Sequence, residues 1–303
     1  MIFLYVLLGL CAIYLLIGLY FYNISLNAKS DKTSVMEGNR SVNGFDESKN
    51  ENAWFDENSI ETSIKSKRGE KLVAYKSIND QAKDWVIVVH GYLLSGRSMS
   101  VYTKKFFEMG YNVLTLDLLG HGKSEGKTIS MGGFDSDNLV LWAEKLTEEY
   151  PECKIILFGI SMGAATVLNS LGKGLPASVK AFIEDSGYVR LEEIFSHQLK
   201  KLYGLPKFLV IPPASLMTKL IGGYSFKEVD ATQGIKDTKL PGLLIHGDKD
   251  GFVPVENVDM VYKLMNSRKE KHIFTDSIHC QGPFKYPEEY WTLVENFLKT
   301  LDK

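Results

Sequence analysis

Residues 154–168 read KIILFGISMGAATVL. The apolar run at 154–158 suits a short strand buried on both faces, and residues 162–171 suit a helix. Between them lies Gly159-Ile160-Ser161-Met162-Gly163, a G-x-S-x-G that closes the strand and opens the helix. A tight strand-to-helix turn lifts a serine Oγ clear of the backbone, and flanking glycines avoid clashes there. The helix N-terminus beneath the turn favours negative charge. A glycine-flanked turn with a capping serine is the competing reading. The strand before it and the helix after it favour a nucleophile elbow.

Working outward, the same alternation repeats. Residues 59–66 and 71–76, joined by Lys67-Arg68-Gly69, read as a β-hairpin. Strands are expected at 85–89, 112–116, 179–183, 242–245 and 270–275. Helices are expected at 97–109, 132–150, 255–265 and 287–301, with Pro151 ending the second and Pro287 in the first turn of the last. Short apolar strands separated by helices predict an α/β domain over 54–303, with a mostly parallel central sheet and helices on both faces. Functional groups in such sheets gather at the carboxyl ends of the strands. About 60 residues without a clear strand separate Ile183 from Gly242, too many for a simple crossover, so a helical insertion is expected there.

A serine hydroxyl needs a base. His279 follows the last expected strand, in Asp276-Ser-Ile-His279-Cys-Gln. The other histidines fit less well: His90 and His246 end strands as His-Gly, His121 precedes the serine in a glycine turn, His197 lies in the insertion and His272 within a strand. A surface loop histidine is the alternative for His279. The acid that orients the imidazole is expected in His246-Gly-Asp248-Lys-Asp250-Gly. Asp250 sits deeper in that loop and is preferred, while Asp248 suits a turn. Oxyanion donors are expected from the backbone N–H of Met162, just after the serine, and of Tyr92 in His90-Gly91-Tyr92 after the strand at 85–89. Ser161, Asp250 and His279 thus follow three separate strands.

The first 22 residues stand apart. Residues 2–22 carry no charge, and 21 helical residues at ~1.5 Å each match a hydrocarbon core of about 30 Å. No basic residue precedes the run and bulky residues crowd its end, so an uncleaved transmembrane anchor at 1–22 is preferred over a signal peptide. Leu10 before Cys11 argues against a lipoprotein. Lys29, Lys32 and Arg40 lean the body toward the cytoplasm, diluted by Asp31 and Glu37, so the membrane side stays open. Residues 23–53, rich in Ser, Asn, Asp, Glu and Lys, are expected to form a flexible linker.

The net charge of −2 gives no sign of a nucleic-acid partner. Three dispersed cysteines without CxxC, and no H-x-H or H-E-x-x-H, give no metal site, and the expected chemistry needs no cofactor. Oligomeric state is not legible.

Across residues 60–303 the chain resembles the α/β-hydrolase superfamily. It is most similar to membrane-anchored Gram-positive bacterial hydrolases grouped with serine aminopeptidase-like and acyl-esterase-like proteins. The resemblance is carried by VIVVHGYLLSGRSM, LTLDLLGHGKSEG, LFGISMGAATVL, IEDSGY, LLIHGDKDGFVP and the His279 loop followed by YPEEY. It implies Ser161 as nucleophile, Asp250 as acid, His279 as base, oxyanion contacts at Tyr92 and Met162, and a cap at about 188–235. Cys280 directly after the base departs from the expected pattern, but no elbow presents its thiol.

The expected activity is ester hydrolysis through an acyl-enzyme on a small-molecule or lipid-like acyl substrate. Peptidase, thioesterase and acyltransferase chemistry on the same serine are the alternatives, with a non-catalytic tethered binding protein behind them. Ten apolar residues of the insertion (Phe195, Leu199, Leu202, Tyr203, Leu205, Phe208, Leu209, Ile211, Leu216, Met217) either line a pocket or bury the cap's own helices, and burial within the cap is expected for most.

Overall fold

Trp85-Val-Ile-Val-Val89 is buried along its whole length, as a strand covered on both faces must be. In the computed structural model, which describes residues 1–302, it is one of eight strands: β1 (Ile60–Lys65), β2 (Lys71–Ser77), β3 (Trp85–Val89), β4 (Asn112–Leu116), β5 (Ile155–Ile160), β6 (Val179–Asp185), β7 (Gly242–Gly247) and β8 (Lys269–Phe274). They form a single sheet in the order β1-β2-β4-β3-β5-β6-β7-β8. β2 runs antiparallel to β1 and β4, and every other neighbouring pair is parallel. This is the α/β-hydrolase fold.

The helices are α1 (Ile2–Ser25), α2 (Thr33–Asn39), α3 (Asn52–Asn58), α4 (Ser100–Glu108), α5 (Gly133–Glu149), α6 (Met162–Ser170), α7 (Leu191–Tyr203), α8 (Lys207–Gly222), α9 (Thr232–Asp237), α10 (Glu256–Leu264), α11 (Gly282–Lys285) and α12 (Pro287–Lys299). Alternation along the strands divides the core into two layers. Val86, Val88, Phe158 and Ile183 pack with Phe106 of α4 and Trp291 and Phe297 of α12. Ile87, Val89, Leu157 and Leu244 pack on the other face with Trp142 of α5, Leu168 of α6 and Val258 of α10. The strand-poor stretch before β7 holds α7, α8 and α9.

The amino-terminal region departs from a simple anchor and linker. Residues 2–16 of α1 are exposed, but Gly18 and Tyr22 are buried against the body. Tyr22 shares a 2.7 Å hydroxyl–hydroxyl hydrogen bond with Thr128. A Cβ on Gly18 would lie 2.3 Å from the carbonyl oxygen of Pro213, so glycine lets the backbones of α1 and α8 approach closely.

Residues 23–53, expected to be a flexible linker, are laid down on the domain. Leu26 is buried, and its carbonyl accepts from Ile129 N–H at 2.8 Å. Ala28 N–H donates to Lys127 O at 3.0 Å, and Asn43 bridges to His279. Composition misleads here because main-chain groups, present in every residue, do much of the pairing.

Candidate active site

The elbow depends on local crowding. Ser161 has φ 53° and ψ −118°, a strained backbone conformation at the junction of β5 and α6. A Cβ on Gly159 would lie 2.4 Å from Gly163 O, and one on Gly163 would lie 2.1 Å from Val89 O. Neither position accepts a side chain without moving backbone. The turn therefore needs both glycines, and it places Ser161 at the carboxyl end of β5.

His279 lies in the loop after β8. Its Nε2 is 2.8 Å from Ser161 Oγ, and its Nδ1 is 2.6 Å from Asp250 Oδ2. A carboxylate accepts from Nδ1–H, which leaves Nε2 free to accept the serine proton. The imidazole stacks on Phe252, with ring centroids 5.0 Å apart and planes 17° from parallel. All three polar side chains are buried.

Asp250 is fixed by the loop after β7. Its Oδ1 accepts the backbone N–H groups of Phe252 and Val253, both at 2.8 Å. Its burial favours the neutral acid, but His279 and His246 outweigh that and hold the carboxyl below its ordinary range. Asp248 instead accepts Ser277 N–H at 3.3 Å and ties the two loops together.

His246 does more than end its strand, the role expected of it from the sequence. It is buried, with Nε2 3.2 Å from Asp250 Oδ2 and 2.9 Å from Val253 O. Its burial disfavours charge, yet the Asp250 hydrogen bond and charge raise its pKa to about 9. Asp250 therefore faces two imidazoles. Buried Glu184 on β6 adds to the field, with its own pKa pushed up by burial to about 7. The i, i+4 spacing of His246 and Asp250 was visible in the sequence, but the loop's curl was not.

Met162 is the first residue of α6, so its N–H has no acceptor within the helix. The Gly91 backbone approaches the elbow closely: a Cβ there would lie 3.3 Å from Ser161 Cβ. Tyr92 follows it and lines the cleft beside Ser161. Two histidines shape this loop. His90 Nε2 accepts from Leu118 N–H at 3.0 Å, and His121 Nε2 accepts from Leu93 N–H at 3.2 Å. Burial lowers their pKa values to about 4 and about 3, so both stay neutral acceptors. Cys280 is buried with its thiol pushed well above the ordinary range, chiefly by desolvation.

A mostly apolar cleft opens over Ser161. Its walls come from α7 and α8 and, unexpectedly, from Phe21, Ser25, Leu26 and Val35 of the amino-terminal region. Tyr92 locks that region in place by donating its hydroxyl to Ser25 O at 2.5 Å. The cap's apolar residues divide differently from expectation. Phe195, Leu199, Leu202, Tyr203 and Ile211 line the cleft, whereas Leu205, Phe208, Leu209 and Leu216 are exposed. Leu199 and Ile211 are also buried in the core, with Phe195 and Met217 packed against it.

A family model described as serine aminopeptidase, S33, matches residues 80–218. YqkD, an uncharacterized protein of Bacillus subtilis, is 28% identical over 240 residues, covering 79% of each chain. The esterase Pf2001 of Pyrococcus furiosus superposes with a TM-score of 0.65 at 26% identity, over 80% of this chain and 92% of its own. The acylaminoacyl peptidase of Pyrococcus horikoshii shares the fold, with a TM-score of 0.60 at 17% identity over 80% of this chain and 41% of its own.

Proposed function

From the α/β-hydrolase fold and the geometry at Ser161, we propose that this chain is a serine hydrolase cleaving carboxylic esters, with Ser161, His279 and Asp250 as its triad. The observation that carries the reading is the continuous hydrogen-bonded path from Ser161 Oγ through His279 to Asp250. Likeness to the esterase Pf2001 adds weight.

In the first step His279 Nε2 takes the serine proton as Oγ bonds to the ester carbonyl carbon. The carbonyl π pair moves onto oxygen, where the N–H groups of Tyr92 and Met162 stabilise it. Collapse breaks the bond to the leaving alkoxide, which takes the proton from His279. Water then gives a proton to His279 and its oxygen bonds to the acyl carbon. The C–Oγ bond breaks, the carboxylic acid departs and Ser161 regains its proton. Asp250 stays ionised and holds the imidazolium, consistent with its lowered pKa.

The aminopeptidase alternative fits less well. Among the described residues no Asp or Glu lines the cleft to hold a peptide's ammonium group. Its apolar walls suit an acyl chain. α1 is long and apolar enough to cross a membrane, and we read it as a single-pass anchor at the cell membrane.

Fluorophosphonate labelling tests the core of this reading. Wild-type protein is expected to label at Ser161, and Ser161→Ala to remain unlabelled. Ester, thioester and peptide panels, with added alcohol acceptors, then separate esterase from thioesterase, peptidase and acyltransferase. Turnover of peptides without esters overturns the ester assignment, and absence of both labelling and turnover overturns the enzyme.

A further inference from the structure

The exposed part of α1 is too short to cross a bilayer by itself. Packing on the body begins at Ile17 and Gly18. Residues 2–16 rise only about 22 Å, against a hydrocarbon core of about 30 Å, and any tilt shortens that rise. Burying the uncharged run down to Tyr22 therefore brings the hydrocarbon past Gly18, where α1 meets Pro213 and Met217 of α8.

The surface of α8 matches that depth. Phe208 is 69% exposed, Leu220 67%, Leu209 48%, Ile221 46% and Leu216 41%. Leu209, Leu216 and Leu220 recur at spacings of seven and four, so they share one helical face. In water this strip would be an apolar patch without a partner. Beside a membrane-spanning helix packed along it, its partner is lipid.

The cleft reaches the same seam. Phe21 and Ser25 of α1, Leu202 and Tyr203 of α7, and Ile211 and Ala214 of α8 line it together with Ser161. Phe21 and Tyr203 meet edge to face, with centroids 5.5 Å apart. We infer that α8 lies in the bilayer beside α1, and that a long-chain acyl ester carried in the membrane enters the Ser161 cleft through the seam between α1 and the α7–α8 pair. The substrate half of this inference rests on the serine esterase reading, and the α8 half rests on α1 spanning the membrane.

The test uses full-length protein reconstituted in vesicles of phosphatidylcholine and phosphatidylglycerol. In a Cys11→Ser background, an environment-sensitive NBD label at Leu220→Cys is expected to show blue-shifted emission quenched by spin-labelled lipid. The same label at Lys180→Cys, an exposed site on β6, is expected to report water. Phe208→Asp combined with Leu220→Asp is expected to lower turnover of a fluorogenic oleate ester held in the vesicles about tenfold. Turnover of a soluble acetate ester in detergent is expected to stay unchanged, which shows that the variant is folded. A water-like signal at Leu220 overturns the placement of α8. Unchanged oleate turnover by the double variant overturns the entry route. If wild-type protein hydrolyses neither ester, the esterase reading fails and the substrate half falls with it, while the NBD signal still decides where α8 lies.

Discussion

Gly44 donates its backbone N–H to the carbonyl oxygen of His279 at 2.7 Å, and His279 N–H donates to Val42 O at 3.1 Å. The segment after α1 thus pairs with the main chain of His279 like a short strand. A Cβ on Gly44 would lie 2.4 Å from Gln281 Cβ, so this clasp needs glycine. Gly44→Pro removes the donor and adds bulk. It is expected to lower kcat for esters about tenfold, through loss of position at His279. The check is steady-state kinetics alongside fluorophosphonate labelling rate, with Lys49→Ala, an exposed change in the same segment, expected to be near wild type.

Substitution within the proposed triad is expected to fall on chemistry, with the fold spared at Ser161 and His279 and somewhat destabilised at Asp250, which also holds His246. Ser161→Ala, His279→Ala and Asp250→Asn should each reduce kcat by at least ~10³-fold, and the double variant Ser161→Ala/His279→Ala should cost little more than either alone, because the residues act as a unit. Asp250→Asn replaces an acceptor that two imidazoles face. Near-wild-type turnover by any of the three would remove that residue from the mechanism.

The strand–helix alternation was legible because each buried strand is a compact apolar run, as at Trp85–Val89. Ser161 was legible because a strained turn demands local glycines, which leaves a short motif. Asp250 and His279 were legible from loop position after successive strands, although 29 residues separate them. The second imidazole on Asp250 was not legible, since it depends on how the loop after β7 curls. Nor was the role of residues 23–53: their polar composition describes side chains, whereas Ala28, Asn43 and Gly44 bind through the main chain. The outward face of α8 was equally hidden, because apolar residues bound for a cleft, for the cap interior or for lipid look alike in sequence.

Gly18 tests whether α1 belongs to the catalytic body. Valine at this position would drive a methyl-bearing carbon into Pro213 O and Met217, while residues 2–16 would keep their full apolar length. Gly18→Val is therefore expected to remain in the membrane but to undock α1 from α8. The cleft would lose the wall formed by Phe21 and Ser25. Expected results are a raised KM for long-chain esters, a smaller change for acetate esters, and faster proteolysis between residues 26 and 50. Unchanged KM and protease resistance would mean that α1 only anchors.

His246 gives the folded protein a specific pH dependence. Its pKa rises from 6.5 to about 9 on folding, where Asp250 outweighs the cost of burial. The folded state therefore binds the proton more tightly than the unfolded chain, and protonation stabilises the fold. That contribution is fully present below pH 6.5 and is lost as the pH rises through about 9. His246→Gln keeps a donor near Asp250 but cannot titrate. Thermal unfolding in detergent is expected to show wild-type Tm falling relative to the variant, by a few degrees, between pH 6.5 and about 9. The difference should be flat below 6.5. A constant Tm difference across the whole range would mean that folding leaves the His246 pKa unshifted, and that His246 serves Asp250 only as a hydrogen-bond donor.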